Sequence, residues 1–228
     1  MYIKVKHKTI SIKESSNSKQ QNGCFYTFLT FKREFYIKQG GFMKKTLFLL
    51  ADGFEEIEMV VPFDILKRGE IEVHLASITD SLSILGAHGL TIQAEHTLSQ
   101  VKLEDYDALF LPGGGLGVEN LSKSDAVIST LQHFAKNDKW IAAICAAPKV
   151  LAKAKLIQNH TVTSFPSVQE EVEAHAKHYS QKRVVIDSKI ITSRAAGTAE
   201  EFALNLLKLL KSETVSQDIQ KQILARDF

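Results

Sequence analysis

The chain has 228 residues, of which 44% are hydrophobic and 24% charged, and this composition predicts one soluble globular domain with a substantial core. The formal net charge of +2 gives no indication of the basic surface that nucleic-acid binding needs, and no apolar run approaches the roughly 18–20 residues of a membrane span. The two cysteines, Cys24 and Cys145, are far apart and unlike in context, which argues against a disulfide framework and favours a reducing, cytoplasmic compartment.

Residues 1–42 differ in composition from the rest of the chain. They are rich in Lys, Ser, Asn and Gln and show no sustained periodicity, which is typical of loops or disorder. Gln39-Gly40-Gly41 can be encoded by a purine-rich ribosome-binding sequence just ahead of Met43. We therefore expect residues 1–42 to be either an upstream stretch included by a misplaced start codon or a genuine disordered or docking extension. A single domain is expected over residues 43–228.

Strand-like and helix-like segments alternate from Met43 onward. The apolar run after Met43 is too short for a secretory signal, and Asp52-Gly53 closes it, so it is predicted to be a strand. The predicted strands are Lys45–Ala51, Glu72–Ser77, Ala108–Leu111, Trp140–Ile144, Thr161–Thr163, Arg183–Asp187 and Lys189–Ser193, with a hairpin of Ser83–Ile84 and Thr91–Ala94. The predicted helices are Glu55–Arg68 (with a possible kink at Pro62), Asp125–Lys136, Lys149–Lys155, Thr198–Leu210 and Val215–Leu224.

This alternation predicts an α/β fold with a parallel sheet covered on both faces. Active sites in such sheets lie outside the carboxyl ends of the strands. Asp52-Gly53, Pro112-Gly113-Gly114 and Cys145 each follow a predicted strand. We therefore expect these three turns to converge on one crevice.

Cys145 ends a small apolar strand and is followed by Ala146-Ala147-Pro148. This pattern indicates a sharp turn and then a helix with Pro in its first turn. The sulfur would lie at the helix N-terminus, where the macrodipole and free N–H groups favour the reactive thiolate. From this segment alone, a nucleophile and a buried structural cysteine are equally good interpretations.

The glycine run Gly113-Gly114-Gly115 allows close approach of the backbone to a bound group. It lacks the Lys-Ser/Thr of a P-loop, and no GxGxxG opens a helix. An oxyanion hole built from the Gly114 and Ala146 N–H groups fits better than phosphate binding. Taken alone, however, the glycine run is best interpreted as a simple tight turn, and the cysteine turn is needed to favour the oxyanion hole.

Three carboxylates, Glu55, Glu56 and Glu58, lie at the start of the first predicted helix. Its N-terminus favours carboxylates in any case, so capping or solvent exposure explains most of them. One on the crevice side could hydrogen-bond the Cys145 sulfur with a raised pKa. Spacing alone does not identify which.

Four motifs occur in order: ADGFEEIE at 51–58, LPGG at 111–114, AAICAAP at 142–148 and TSRAAGT at 192–198. Together they resemble the ThiJ/PfpI superfamily, in particular the branch of the Parkinson-disease-associated protein deglycase and its bacterial relatives, from about Met43 to Leu224. The resemblance implies a flavodoxin-like three-layer sandwich with a mostly parallel sheet, as in class I glutamine amidotransferase-like folds. It also implies a homodimer.

The resemblance further implies specific roles. Cys145 would be the nucleophile and Glu58 its carboxyl partner, with the Gly114 and Ala146 N–H groups as oxyanion donors and Gly113 in support. It implies an enzyme without cofactor or metal that attacks the aldehyde of methylglyoxal or glyoxal to give lactate or glycolate, or that removes early glycation adducts from protein side chains. The alternative is an oxidative-stress sensor or chaperone in which Glu58 stabilises a sulfinate at Cys145. A pathway accessory role is a third alternative, but no thiazole- or phosphate-specific motif supports it.

The chain departs from the family pattern at three positions. Ala146 stands where protease-like relatives carry His, which argues against a peptidase or amidotransferase triad. Phe165 replaces a His found in some members, so general-base help is expected from Glu58 or water. His88 replaces a common Arg, which questions a polar contact on the dimer side but not the nucleophile.

The remaining histidines show no spacing that strongly indicates a metal site. His175 and His178 have i, i+3 spacing, which is compatible with a metal pair, but a solvated helix face is the preferred interpretation.

Overall fold

The structure is a computed structural model that describes the backbone of Tyr2–Val5 and Lys8–Ser11 and all of residues 43–227. Contacts between Cα atoms divide the chain into two units, residues 1–42 and 43–228. In the first unit, strands β1 (Tyr2–Val5) and β2 (Lys8–Ser11) pair in antiparallel fashion. The prediction of a disordered or misassigned extension otherwise falls on residues outside those described.

The second unit is organised around one large sheet. The strands of this unit are β3 (Lys45–Leu50), β4 (Glu72–Ser77), β5 (Ser83–Leu85), β6 (Thr91–Gln93), β7 (His96–Thr97), β8 (Ala108–Leu111), β9 (Trp140–Ile144), β10 (Thr161–Val162), β11 (His178–Tyr179), β12 (Val184–Asp187) and β13 (Ile190–Ser193). Seven of them form the sheet in the order β12-β13-β9-β8-β3-β4-β7. The β12–β13 pair is antiparallel, and the other neighbours are parallel. Strands β5 and β6 form the predicted hairpin.

Helices cover both faces of the sheet. They are α1 (Glu56–Arg68), α2 (Gly115–Lys123), α3 (Asp125–Lys136), α4 (Pro148–Lys153), α5 (Gln169–Glu173), α6 (Ala199–Leu210) and α7 (Glu213–Gln222). Side chains alternate along β3, so Leu47 and Leu49 join the core under α2, α3 and α4, while Phe48 and Leu50 join the core under α1 and α6. The predicted flavodoxin-like three-layer α/β arrangement is therefore confirmed. In the part of the chain that is described, no helix is long and apolar enough to cross a membrane.

The strands that carry the candidate turns are neighbours in the sheet. β3 lies between β4 and β8, and β8 pairs with β9 in parallel. Parallel neighbours present their carboxyl ends at the same edge, so the segments after β3, β8 and β9 meet there. The predicted convergence of the three turns on one crevice is confirmed.

Two details differ from the sequence predictions. The glycine run was expected to be only a turn, yet α2 begins at Gly115 directly after Gly114, whose φ is +96°. The three glycines obscured the helical spacing of Val118 and Leu121, which are both buried. The expected helix face at His175 and His178 is wrong, because α5 ends at Glu173 and His178 lies in β11.

Candidate active site

Cys145 occupies a sharp turn directly after β9. Its φ is +65°, a left-handed conformation that is uncommon for a residue with a side chain. The Cys145 N–H donates to the Ser193 carbonyl at 2.9 Å, and its carbonyl accepts from the Phe165 N–H at 2.7 Å. These two bonds tie the turn to β13 and to the segment after β10. Surrounding structure thus maintains a strained backbone at this residue, a feature that clusters at functional sites.

Glu58 reaches the same place from α1. Only 1% of its surface is exposed, although a carboxyl group is seldom buried to this extent. It accepts a hydrogen bond from the Gly113 N–H at 2.8 Å. The Ala196 N–H and the Cys145 thiol also lie close enough to lower the pKa of the Glu58 carboxyl. The structure therefore brings the predicted carboxyl partner and the predicted nucleophile into direct contact.

Gly113 and Gly114 are glycines because the site leaves no room for side chains there. A Cβ at Gly113 would overlap Glu58 Oε2 and lie 2.6 Å from Cys145 Cβ and 3.1 Å from Cys145 Sγ. A Cβ at Gly114 would overlap the Gly53 carbonyl oxygen, and the φ of +96° at Gly114 is accessible mainly to glycine. Gly113 therefore packs between the two reactive side chains, as a supporting residue should.

The two predicted oxyanion donors both lie at the sulfur. The backbone N–H groups of Gly114 and Ala146 lie close enough to the Cys145 sulfur to lower the pKa of the thiol. They come from different turns, one after β8 and one after β9. All five predicted site residues are thus within one small cluster at the carboxyl end of the sheet.

Burial dominates the acid–base properties of the pair. It raises the pKa of Glu58 to about 7, with a contribution from the charge of Glu55, while the hydrogen bonds from Cys145, Gly113 and Ala196 act in the opposite direction. Burial and then the Glu58 carboxylate also raise the pKa of the Cys145 thiol, against the hydrogen bonds from Ala146 and Gly114.

The expectation that a helix N-terminus makes Cys145 a ready thiolate stays a prediction, and burial and the Glu58 carboxylate act against it. Helix α4 has only six residues and begins at Pro148, three residues after the cysteine. Its dipole is weak beside the loss of hydration and the adjacent carboxylate. The Cys145 thiol and the Glu58 carboxyl are therefore two neighbouring acids whose pKa values are both raised.

A cluster of two carboxylates and one histidine lies near the start of α1. Glu55, Glu56 and His88 bring one potential ligand atom each within 4.8 Å of one another. The His88 ring contacts Glu56 Oε2 at 2.7 Å, and the His88 N–H donates to Glu56 Oε1 at 2.6 Å. Hydrogen bonding and the charge of Glu56 raise the pKa of His88. The ion pair between His88 and Glu56 accounts for this cluster. His88, which stands where an Arg is common in the family, therefore contacts Glu56 of its own chain.

Two neighbours of the site were missed or only partly anticipated. Ala196 lies in the TSRAAGT motif, but a backbone donor leaves no mark on the sequence, so its effect on Glu58 was not predicted. Phe165 was identified as a replacement for His, and the structure places its N–H on the Cys145 carbonyl. The positions of Ala146 and Phe165 thus contribute backbone groups and no imidazole.

Comparison with known proteins agrees with this geometry. The profile of the DJ-1/PfpI family matches residues 44–209. The crystal structure of Drosophila melanogaster DJ-1beta is similar with a TM-score of 0.79 at 33% identity, covering 82% of this chain and 100% of that chain. A structure of oxidised Toxoplasma gondii DJ-1 has a TM-score of 0.76 at 34% identity, covering 79% of this chain and 98% of that chain.

A named enzyme is among the relatives. Deglycase PH1704 of Pyrococcus horikoshii is 30% identical over 167 residues, which are 73% of this chain and 99% of that protein. The family resemblance indicated by the four sequence motifs is confirmed by these matches. On this evidence the chain belongs to the DJ-1/PfpI family.

Proposed function

We propose that this chain is a cofactor-independent enzyme in which Cys145 is the nucleophile in reactions of dicarbonyl compounds. The reactions are the glyoxalase-type conversion of methylglyoxal to lactate and the removal of early dicarbonyl adducts from protein side chains. One observation carries the proposal: the buried Glu58 carboxyl and the Cys145 sulfur both lie against Gly113, with the Gly113 N–H bonded to the carboxyl and the Gly114 and Ala146 N–H groups near the sulfur. The relationship to a protein named a deglycase supports it.

The first step is addition of the thiol to the aldehyde. Glu58 in its carboxylate form takes the thiol proton as the sulfur forms a bond to the aldehyde carbon. The carbonyl oxygen gains negative charge, and the Gly114 and Ala146 N–H groups lie beside the sulfur, where they can stabilise that oxygen. Glu58 then returns the proton to the oxygen, which gives a neutral hemithioacetal.

The second step moves a proton between adjacent carbons. Glu58 removes the hydrogen from the former aldehyde carbon, an enediolate forms, and protonation of the neighbouring carbon gives a lactoyl thioester. Water then cleaves the thioester, which releases lactate and restores the thiol. One carbon is oxidised and its neighbour reduced within the same molecule, so no outside electron acceptor is required. A carboxyl with a pKa of about 7 is suited to accept and donate protons at neutral pH.

Peptide cleavage is not part of the proposal. A cysteine peptidase uses a histidine to protonate the leaving amine. Ala146 follows the nucleophile directly, and Phe165 occupies the other position at which relatives carry a histidine. Glu58 would therefore have to protonate the leaving amine itself, although it already accepts a hydrogen bond from the Gly113 N–H and lies near the Ala196 N–H.

Lactate formation from methylglyoxal tests the proposal. Wild-type protein is expected to produce lactate, whereas Cys145→Ser and Glu58→Gln are each expected to lose about a hundredfold or more in kcat/KM. Circular dichroism of each variant checks that the fold is retained. Wild-type turnover by Cys145→Ser would show that the cysteine is not the nucleophile.

A redox role is the second candidate. Cys145 is the free cysteine of the described residues, and its sulfur lies beside N–H donors that can stabilise anionic oxygens. Two equivalents of peroxide would convert the thiol to a sulfinate, which a protonated Glu58 can bind. A mass increase of about 32 Da confined to Cys145 after peroxide, together with negligible dicarbonyl turnover, would favour a sensor or chaperone over the enzyme.

We also propose a homodimer and a cytoplasmic location. Ile57 on α1 and Leu85 on the β5–β6 hairpin are each about half exposed. The Gly53 N–H donates to the Leu85 carbonyl at 2.7 Å, which ties the hairpin to the start of α1. Exposed apolar side chains on these two neighbouring segments would suit contact with a second copy of the chain. A reducing compartment keeps Cys145 available as a thiol.

A further inference from the structure

The Tyr179 side chain binds the backbone at Ser164. Tyr179 lies in β11, and its hydroxyl donates to the Ser164 carbonyl at 3.1 Å and accepts from the Ser164 N–H at 3.2 Å. The hydroxyl oxygens of the two residues are also 3.1 Å apart. Ser164 is fully buried, so its backbone groups depend on protein partners, and the Tyr179 side chain packs against the core under α2, α3 and α4. Tyr179 therefore fixes both peptide units that flank Ser164.

The peptide between Ser164 and Phe165 carries this constraint to the cysteine. In a trans peptide the C=O and the N–H point in opposite directions. Because the Ser164 carbonyl points toward Tyr179, the Phe165 N–H points away from it, and it donates to the Cys145 carbonyl at 2.7 Å. Pro166 follows and favours the extended conformation that Phe165 has, with φ −64° and ψ 142°. The Tyr179 hydroxyl thus acts on Cys145 through one rigid peptide and two hydrogen bonds.

The carbonyl that Phe165 holds belongs to the strained turn. Its peptide unit also contains the Ala146 N–H, so fixing the Cys145 carbonyl on Phe165 directs the Ala146 N–H to the opposite side. The φ of +65° at Cys145 persists only where surrounding structure maintains it. A longer hydrogen bond from Phe165 would therefore let the peptide between Cys145 and Ala146 rotate.

We propose that Tyr179 is a positioning residue of the Cys145 turn, because its hydroxyl orients the peptide whose Phe165 N–H holds the Cys145 carbonyl. Tyr179 acts through the backbone and not on the reacting atoms. Its effect on dicarbonyl turnover, through the direction of the Ala146 N–H, rests on the proposed function. Its effect on the Cys145 carbonyl does not, since these hydrogen bonds exist without substrate.

NMR of the full chain compares wild type with Tyr179→Phe, which keeps the ring and removes the hydroxyl. The Phe165 amide proton is expected to move upfield as its hydrogen bond lengthens, and to exchange with solvent about 3- to 10-fold faster. Tyr106→Phe is the matched control, because Tyr106 is also buried and its hydroxyl contacts His74 Nδ1 at 2.8 Å. It should leave the Phe165 resonance and its exchange rate as in wild type.

Lactate formation from methylglyoxal measures the consequence for catalysis. An oxyanion donor acts on charge that develops in the transition state, so Tyr179→Phe is expected to lower kcat about 3- to 10-fold while KM stays within about twofold. Tyr106→Phe should keep both values. If wild type forms no lactate, the proposed function fails, whereas the NMR comparison still decides the role of Tyr179 because it involves no dicarbonyl.

Three results would overturn the proposal: a Phe165 amide proton unmoved in Tyr179→Phe, an equal movement in Tyr106→Phe, or, with an active wild type, an unchanged kcat in Tyr179→Phe. A merely structural role would lower the melting temperature without moving the Phe165 resonance. If Tyr179→Phe does not fold, 3-fluorotyrosine is incorporated into Tyr106→Phe. Fluorination makes the Tyr179 hydroxyl a stronger donor, which should strengthen the next hydrogen bond and move the Phe165 amide proton downfield. An unmoved resonance there would contradict the proposal.

Discussion

Replacing Glu58 with glutamine should stabilise the protein at alkaline pH and not at acidic pH. Glutamine has nearly the same shape, and its amide oxygen can still accept from the Gly113 and Ala196 N–H groups. It cannot ionise. The substitution therefore removes the free-energy cost of a buried charge while it keeps the packing around Gly113.

The magnitude follows from the raised pKa. The folded protein holds the Glu58 proton up to about pH 7, whereas an ordinary glutamate releases it near 4.5. The stabilisation from this proton is complete below the lower value and is lost as the pH rises through the upper one. At about 1.4 kcal/mol per pH unit, the advantage of Glu58→Gln over wild type should grow by about 2 to 3 kcal/mol between about pH 5 and about pH 8.

Urea unfolding of wild type and Glu58→Gln at the two pH values measures this difference. Glu119→Gln on the exposed surface of α2 is the matched control, and its effect should change little with pH because exposed charges contribute little. If the free energy of unfolding of Glu58→Gln, relative to wild type, is the same at both pH values, then Glu58 is not a buried carboxyl with a raised pKa.

Two further substitutions test the packing of the site and the proposed dimer. Gly113→Ala places a methyl group against Glu58 and Cys145, so lactate formation should fall at least about tenfold, whereas Gly115→Ala, where an added Cβ meets nothing within 4 Å, should retain it. Equal activities would show that close contact across Gly113 is not needed. Ile57→Glu places a charge on the exposed face of α1 and should yield a monomer by light scattering, whereas a dimer of unchanged mass would place the interface elsewhere.

The sequence predicted the layout of the fold because buried parallel strands are continuous apolar runs. Ala108–Leu111 and Trp140–Ile144 are buried along nearly their whole length, and their bounds match the prediction. Two-residue strands such as His96–Thr97 show no periodicity and were missed. Helix α2 was missed because two of its first three residues are glycines, which favour turns when a sequence is considered alone.

The site was predictable in its membership and not in its electrostatics. Cys145 and Gly113 were identifiable because each lies in the turn after a predicted strand, and Glu58 was selected through the family resemblance. The protonation of the pair depends on how far Glu58 is buried and on which N–H groups reach it. The effect of Ala196 comes from a turn in which the Thr198 hydroxyl binds the backbone of Ala195. Such contacts are long-range or belong to the backbone, so residue types alone do not reveal them.

Lactate formed from methylglyoxal in heavy water is the most direct test of the central claim, that Cys145 and Glu58 together carry out dicarbonyl chemistry. If Glu58 moves a proton between the two carbons and exchanges it with solvent, proton NMR should show lactate with deuterium at its central carbon. Wild type should form this product, and Cys145→Ser and Glu58→Gln should form almost none. Lactate produced by Cys145→Ser or by Glu58→Gln at the wild-type rate would contradict the account.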